Sequence, residues 1–255
     1  MNTGDPSYTA ANAQAWDSWV EGGIEWGVPI TSEEFARAKK GDWGVHLTPS
    51  KHVPREWFPD MLRTKVLCLA GGGGQQAPIF TALGAACTVL DNSARQLATE
   101  KEVAAREGYE IALVKGDMTR TLPFADGSFD LIFHPVSNCY VENVYHVWRE
   151  CHRVLKRGGI LLAGMDNGIN FLFNDYDAMK VENRLPYNPL RDQALAARLT
   201  PDDGVQFSHT LEEQIGGQLR AGFRLTDIID DYDRPGAGKL SEYTPLYIAT
   251  RAVKR

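Results

Sequence analysis

The chain has 255 residues, of which 43% are hydrophobic and 24% are charged, and its formal net charge is −6. This is the composition of an ordinary globular protein, and it excludes a chain that is disordered throughout. The acidic balance argues against a nucleic-acid-binding protein, because such proteins usually present a basic face.

The chain has 4 cysteines, and none of them forms a C-x-x-C pair, so the spacing predicts neither a metal site nor a secreted disulfide framework. No apolar run approaches the ~18–20 residues that a membrane span needs. No basic residue precedes Arg37 to begin a signal peptide. We therefore expect reduced cysteines, no metal, no membrane span and a cytoplasmic location.

Residues 1–60 contain five of the 6 tryptophans. We predict that this segment forms an N-terminal helical cap in which the tryptophans pack the helices. The alternative is that they line an aromatic substrate pocket. For His46 and His52, in the same segment, we favour a position away from the functional site over one that faces it.

From residue 61 onward, short apolar runs alternate with segments of helical periodicity, and turn or cap signals separate them. Capping boxes at Ser93 and Thr210 mark the beginnings of two helices. Lys156 and Arg157, followed by two glycines, are typical of the carboxyl end of a helix. Strands are predicted at residues 66–70, 87–90, 111–114, 129–133, 160–165, 225–229 and 246–250, and helices at residues 77–83, 93–107, 144–157 and 210–221.

This alternation predicts an α/β fold with a doubly wound, mostly parallel sheet and helices on both faces. We expect residues 61–255 to form one domain, with the irregular segment 168–208 inserted as a second cap and the whole chain as one compact unit. Ligands bind such sheets beyond the carboxyl ends of the strands. That edge carries the glycine run 71–74, Asp91 and Asp117.

Four consecutive glycines after a buried strand indicate a sharp turn and a close approach to the backbone. The unpaired amides of the helix that follows can bind an anionic or polar group. Asp91, at the end of the next strand, can accept hydrogen bonds from both ribose hydroxyls of an adenosine. Its alternative role is to cap the helix near Ser93.

Asp117 and Met118 follow the third predicted strand. The carboxylate can accept a hydrogen bond from an adenine amino group while the methionine flanks the ring. The alternative is an ordinary turn aspartate. In register with the glycine run and Asp91, the adenine role is favoured.

These features together resemble the class I S-adenosylmethionine-dependent methyltransferases, in particular their small-molecule branch. The resemblance covers about residues 61–166, and the strings Leu-Pro-Phe-Ala-Asp-Gly-Ser-Phe-Asp at 122–130 and Arg-Val-Leu-Lys-Arg-Gly-Gly at 153–159 are fairly specific to it. Two positions depart from the family pattern. Ala70 stands where the family usually has glycine, and Cys68 stands where it usually has an acidic residue that orients the amino group of the methionine part.

The resemblance implies a seven-stranded Rossmann-like sheet whose last strand is antiparallel. It implies that residues 70–73 line the methionine end of the cofactor, that Asp91 holds the ribose and that Asp117 and Met118 complete the adenine pocket. The cofactor-binding residues that it implies are Ala70, Gly71, Gly72, Gly73, Asp91, Asn92, Asp117, Met118, His134 and Val136.

The predicted function is methyl transfer from S-adenosylmethionine to a small-molecule acceptor, without nucleic acid or membrane as a partner. A nicotinamide-dependent oxidoreductase and a non-catalytic protein that binds an adenosyl ligand are the alternatives. If the acceptor needs deprotonation, the candidate bases are His209, which directly precedes the capping box at Thr210, and His134. The sequence leaves open the acceptor, the methylated atom, the oligomeric state and what replaces the acid at Cys68.

Overall fold

The computed structural model describes residues 6–200 and 203–255, without the side chains of residues 6 and 7. Residues 1–5 and 201–202 fall within the two predicted caps, and the predictions made for them lie outside the described residues. Within the described ranges, no helix is both long enough and apolar enough to cross a membrane.

Seven strands form a single sheet. The strands are β1 (Lys65–Leu69), β2 (Ala86–Asp91), β3 (Ala112–Lys115), β4 (Phe129–His134), β5 (Leu155–Asp166), β6 (Phe223–Asp231) and β7 (Tyr247–Lys254). Their spatial order is β3-β2-β1-β4-β5-β7-β6. Strands β1 to β5 pair in parallel, and β7 is antiparallel to both β5 and β6. The predicted fold, including the antiparallel last strand, is confirmed.

Helices lie on both faces of the sheet and begin where the sequence signals them. Ser93 Oγ accepts a hydrogen bond from Gln96 N at 3.0 Å, and Thr210 Oγ1 accepts one from Glu213 N at 3.2 Å. Both caps bind amides that would otherwise lack a partner in the first turn. The helices are α1 (Pro6–Glu21), α2 (Ser32–Lys39), α3 (Ala77–Ala82), α4 (Ala94–Glu107), α5 (Val144–Val154), α6 (Gln193–Ala196) and α7 (Gly217–Ala221), the last preceded by a π-helical turn (Glu212–Gly216).

The predicted helix end at Lys156 and Arg157 is wrong. Helix α5 ends at Val154, and β5 begins at once with Leu155, which pairs with Phe129 of β4. The Lys156 ammonium binds the Asp130 carboxylate at 2.6 Å instead of capping helix carbonyls. Residue 155 belongs to the strand because the Leu155 side chain is fully buried against the sheet. The free energy of this burial outweighs the weak preference of Lys and Arg, followed by glycine, for the end of a helix.

The apolar residues of the sheet alternate between two buried clusters, one on each face. Val66 and Cys68 of β1 belong to one cluster, and Leu67 and Leu69 belong to the other. Residues of the N-terminal segment, among them Leu47 and Trp57, are part of the first cluster. The cap is helical only in part, since residues 40–54 are irregular chain that packs on the sheet through these side chains.

Candidate active site

A cavity of about 720 Å³ lies at the carboxyl edge of the parallel strands. Five strands contribute the residues directly at or beyond their ends, from Ala70 after β1 to Asp166 at the end of β5. The two caps supply other parts of its wall. They contribute Trp16, Trp19, Trp26, residues 44–49, Asn170, Phe171 and Gln206.

Eight of the ten predicted cofactor-binding residues border this one cavity. The two exceptions, Gly73 and His134, are not among its lining residues. The eight are Ala70, Gly71, Gly72, Asp91, Asn92, Asp117, Met118 and Val136.

The glycine run is needed because helix α4 packs directly on it. A Cβ on Gly72 would lie 2.8 Å from Gln96 Cβ, and one on Gly74 would lie 2.7 Å from a methyl of Val103. Both distances are shorter than side chains tolerate. The close approach predicted for the run is therefore made largely by the chain itself.

Amides of the run itself are also paired within the chain. Gly73 N donates to the Gln96 carbonyl at 3.1 Å, and Gly74 N donates to Glu100 Oε1 at 2.7 Å. Gly71 is less crowded than Gly72 and Gly74. It borders the cavity, and a Cβ placed on it would make only ordinary van der Waals contacts, the shortest at 3.4 Å.

Ala70 has a φ of 49°, which lies in the left-handed region. Ala70 stands where the family usually has glycine, and this is a backbone conformation that glycine adopts more easily than alanine. The conformation is held from both sides, since Ala70 N donates to the Leu90 carbonyl at 2.8 Å and the chain then turns into the glycine run.

Asp91 is placed at the cavity wall with both of its carboxylate oxygens engaged. Oδ2 accepts the Gly72 amide at 3.0 Å, and Oδ1 accepts the Ser93 amide at 2.9 Å. The backbone of Asn92 is a third donor to this carboxylate, so of its about four lone-pair sites about one remains for a further donor. Burial raises the pKa of Asp91, and the backbone hydrogen bonds oppose that shift. Ser93, not Asp91, caps α4.

The next residues along this edge are partly engaged with the protein. Asn92 Nδ2 donates to the Thr9 carbonyl of α1 at 2.9 Å, so it joins the N-terminal cap to the site. Asp117 Oδ1 accepts the Thr119 amide at 2.8 Å, which is the ordinary turn role, and its side chain still borders the cavity beside Met118. The turn role and the adenine role are compatible in this geometry.

The two candidate bases do not border the cavity. His134 is fully buried, with Nδ1 at 2.9 Å from the Leu69 carbonyl and Nε2 at 2.9 Å from Asn138 Oδ1. His209 is 6% exposed, and its Nε2 lies 3.1 Å from the Asn138 carbonyl. Burial lowers the pKa of both imidazoles. In these positions both rings are hydrogen-bonded to neighbouring chain segments, and neither is among the residues that line the cavity.

His46 and His52 do border the cavity, contrary to the position we favoured for them. Their ring centroids are 4.4 Å apart. Burial, with the neighbouring His52 as a second cause, lowers the pKa of His46. The loop that carries His46 is anchored on Asp231, whose Oδ2 accepts Thr48 Oγ1 and Ser50 N, both at 2.8 Å.

Three of the tryptophans contribute to the cavity wall as well as to packing. The Trp16 ring lies 5.3 Å from Trp19 and 5.7 Å from Tyr140, edge to face in both cases. Trp26 also borders the cavity, whereas Trp57 is buried in the core. These three therefore have the position in a cavity wall that the aromatic-pocket alternative predicts.

Four polar residues of the wall carry a buried side-chain oxygen without a hydrogen-bond partner among the described residues, and sequence reasoning predicted none of them as site residues. They are Gln76, Gln96, Asp166 and Asn170. Asp166 could have been found by the rule that identified Asp91, since it stands at the carboxyl end of a parallel strand; the predicted strand was ended one residue early. Gln76 and Asn170 follow no motif, and only the folded chain brings them to the cavity.

Gln76 lies beside the position that departs from the family pattern. A Cβ on Gly71 would have Cys68 Cβ at 3.4 Å and Gln76 Oε1 at 3.7 Å. The unpaired amide oxygen of Gln76 thus approaches the same side of the loop as Cys68.

Comparison with known proteins gives consistent similarities. A family model described as "Methyltransferase domain" matches residues 67–163. The chain is 44% identical over 252 residues to the "Uncharacterized methyltransferase YbaJ" of Bacillus subtilis (strain 168), covering 96% of this chain and 98% of that protein. It is 28% identical to the sterol 24-C-methyltransferase ERG6A of Gibberella zeae, over 70% of this chain and 43% of that protein.

Among solved structures, the fold is similar to that of an S-adenosylmethionine-dependent methyltransferase from Mesorhizobium loti. The TM-score is 0.62 and the sequence identity 20%, with 78% of this chain and 95% of that chain covered. This likeness supports the fold described above.

Proposed function

The chain belongs to the class I S-adenosylmethionine-dependent methyltransferases, and from that premise we propose that it methylates a small molecule bound between the two caps. The observation that supports this proposal is the single cavity that joins the cofactor edge of the sheet to an aromatic wall. The predicted nicotinamide-dependent alternative is set aside by the family. The relatives include proteins named for sterol methylation, and a small-molecule acceptor for this chain is an extension from them.

The residues at the sheet edge fit the cofactor. The Asp91 carboxylate keeps acceptor capacity for a ribose hydroxyl beyond its three backbone donors, and Asp117 with Met118 suits an adenine ring. Gln76 Oε1 is a buried acceptor without a partner among the described residues, beside Gly71. We assign it to the amino group of the methionine part, in place of the acid that the family usually has at Cys68.

When bound, S-adenosylmethionine supplies a methyl group on a positively charged sulfur, which is already an electrophile. The protein therefore has to bind the acceptor, align it with the methyl group and exclude water. Trp16, Trp19 and Tyr140 supply an apolar wall for this purpose. The caps are joined above it, since Asn12 Nδ2 donates to the Val205 carbonyl at 3.0 Å.

The charges that line the cavity disfavour an anionic acceptor. Five carboxylates and one arginine border it within the described ranges, and that arginine, Arg234, pairs with Glu25 and stacks on Trp26 at 4.3 Å. Nucleic-acid binding needs clustered Lys and Arg. We therefore keep the prediction that the acceptor is not a nucleic acid. As a separate proposal, we expect the protein to work in the cytoplasm.

Calorimetric titration with S-adenosylhomocysteine tests the cofactor assignment. Asp91→Ala removes an acceptor of charge-assisted hydrogen bonds, so we expect it to weaken binding by roughly 1.5–3 kcal/mol, about 10- to 150-fold. Asp91→Asn keeps one side-chain oxygen, so its affinity for S-adenosylhomocysteine should lie between that of Asp91→Ala and that of the parent protein. NAD should bind poorly to all three proteins.

The matched control is Glu110→Ala, which removes one carboxylate from an exposed position away from the cavity. It should bind S-adenosylhomocysteine as the parent does. Circular dichroism of each variant separates a loss of binding from a loss of fold. Equal affinity of Asp91→Ala and Glu110→Ala in folded proteins would remove Asp91 from the cofactor site.

The acceptor itself can be sought by incubating the protein with methyl-labelled S-adenosylmethionine and a metabolite extract. Mass spectrometry then identifies the labelled product. Label found only in nucleic acid or protein fractions would contradict the proposed small-molecule acceptor.

A further inference from the structure

Two buried oxygens on the cap side of the cavity have no hydrogen-bond partner among the described residues. They are Oδ2 of Asp166, which ends β5, and Oδ1 of Asn170, four residues later. Both residues border the cavity. Asp166 is 4% exposed, and its other oxygen accepts the Gly168 amide at 3.0 Å.

An unpaired buried acceptor forfeits the hydrogen bonds that water would give it, and the loss is greatest for a carboxylate. Folded proteins therefore supply a partner to most such atoms. Here the described part of the chain supplies none. The Asn170 amide group is hydrogen-bonded to Tyr176, which leaves its Oδ1 unpaired, and Arg234, the arginine that borders the cavity within the described residues, is paired with Glu25.

The surroundings of the two oxygens are aromatic. Tyr140, Phe171 and Tyr247 border the same cavity, and the Phe171 ring packs on Tyr187 at 5.3 Å. Trp16 and Trp19 extend this surface from the N-terminal cap. Such a wall accepts a flat or apolar body, while the two oxygens accept only hydrogen-bond donors.

We propose that Asp166 and Asn170 form the polar subsite for the methyl acceptor, which is a neutral or cationic molecule with an O–H or N–H group on an aromatic or apolar body. The donor group binds the two oxygens, and the body packs on the aromatic wall. This inference rests on the proposed function, and it names the class of acceptor.

Binding of such a donor should depend on pH, because the ionised carboxylate is the stronger acceptor. Burial raises the pKa of Asp166 to about 6. The titratable groups that interact with it are Cys139, Tyr140, Tyr176 and Tyr247, and burial raises the pKa of each, so all four are neutral at pH 5 to 8. Affinity for a neutral donor should therefore fall as the pH drops below about 6.

Three naphthalene probes test the subsite in protein saturated with S-adenosylhomocysteine. 2-Naphthol and 1-(aminomethyl)naphthalene carry a donor, and 2-methoxynaphthalene has a similar shape without one. Binding is followed by quenching of tryptophan fluorescence. We expect at least one donor probe to bind ten or more times tighter than 2-methoxynaphthalene, and the better of the two identifies the hydroxyl or amine class.

Asp166→Asn keeps an oxygen for the Gly168 amide. It should reduce the preference for donor probes over 2-methoxynaphthalene to less than threefold. It should also remove the dependence of this preference on pH near 6. Glu34→Gln is the matched control. Glu34 borders the same cavity, but its Oε2 already accepts a hydrogen bond from Thr31 N at 2.7 Å. Its replacement should therefore leave the preference for donor probes unchanged.

Equal binding of the three probes, binding of none of them, or an unchanged preference in Asp166→Asn would overturn the subsite. Affinity for S-adenosylhomocysteine is measured first on every protein. A protein that fails to bind this ligand contradicts the proposed function, whereas a protein that binds it without preferring donor probes contradicts only the subsite.

Discussion

At the scale of single residues, Ala70 carries the clearest conflict between side chain and backbone in the site. Its φ of 49° costs an L-residue with a Cβ roughly 1–2 kcal/mol relative to glycine. The position is fixed because Ala70 continues β1 on one side, through its bond to Leu90, and enters the glycine run on the other. The chain tolerates the strain because Leu69, the residue before it, is held in the sheet by its pairing with Leu90.

Ala70→Gly should therefore stabilise the protein. Relief of the backbone strain exceeds the entropy that glycine adds to the unfolded chain, about 0.5–1 kcal/mol, so the net gain should be on the order of 0.5–1 kcal/mol. Urea unfolding measures it. Ala105→Gly, at an exposed position inside α4, is the control and should lose up to ~1 kcal/mol. A loss of similar size in both variants would contradict the strain at Ala70.

At the scale of elements, α4 holds the glycine run through a buried glutamate. Glu100 Oε1 accepts the Gly74 amide at 2.7 Å, and the residue is fully buried. Burial raises the pKa of Glu100 to about 8, so the native protein keeps this carboxyl protonated at neutral pH. The unfolded chain releases that proton near ~4.3, the ordinary value for glutamate.

The raised pKa makes stability depend on pH in a defined direction. The contribution of Glu100 is fully present below its unfolded pKa and is lost as the pH rises toward 8, because the native state then binds one more proton than the unfolded state. The free energy of unfolding should fall by up to about 1.4 kcal/mol per pH unit in this window.

Glu100→Gln should remove this dependence between pH 6.5 and about 8, where Asp166 no longer contributes. Urea unfolding at several pH values measures it. Glu102→Gln, on the exposed side of the same helix, is the control and should keep the slope of the parent. A Glu100→Gln protein with the slope of the parent would show that this carboxyl titrates normally.

The sequence strings at 122–130 and 153–159 have a structural reason at the same scale. Arg153 of α5 donates to the carbonyls of Leu122 and Phe124 at 3.0 and 2.7 Å, and to the Asp126 carboxylate at 2.9 Å. It also pairs with Glu150, and this arginine is the main cause that lowers the pKa of Glu150. The two strings thus form one network that fixes α5 to the loop before β4.

At the scale of the whole molecule, the N-terminal cap is built into the core of the domain. Leu47, Val53 and Trp57 belong to the same buried cluster as Val66 and Leu131 of the sheet. Trp57 Nε1 also donates to Asp227 of β6 at 2.9 Å. Removal of the cap would expose this cluster to water, so we expect the chain to fold as one unit.

The unfolding of the full chain tests this expectation. Five of the 6 tryptophans lie in residues 1–60, so fluorescence reports mainly on the cap, while far-ultraviolet circular dichroism reports on the whole secondary structure. We expect the two urea transitions to coincide. S-adenosylhomocysteine should shift both by the same amount, because it binds only the native state. A fluorescence transition at lower urea concentration would mean that the cap unfolds separately.

The sequence by itself determined the α/β sheet and placed the glycine run, Asp91 and Asp117 at its ligand-binding edge. The resemblance to the family added the number of strands, the antiparallel last strand and the rest of the eight predicted residues that border the cavity. The sheet and its edge depend on local patterns: buried apolar runs, capping boxes at Ser93 and Thr210, and the rule that ligands meet the carboxyl ends of parallel strands. Each pattern concerns neighbouring residues whose periodicity and hydrogen bonds are set within one element. For the same reason the end of α5 was misplaced, since the pairing of Leu155 with Phe129 is not a local property.

Only the tertiary structure decided which polar groups border the cavity in addition to Asp91, Asn92 and Asp117. In the sequence, His134 ends a strand and His209 precedes a helix at the cavity edge of the sheet. In the folded chain, both rings are hydrogen-bonded inside the protein. Asn170 comes to the wall from an irregular segment, and Gln76 reaches it from the turn before α3. The direction of these side chains depends on how the caps pack over the sheet. That packing is made by contacts between residues far apart in sequence, so no periodicity along the chain predicts it.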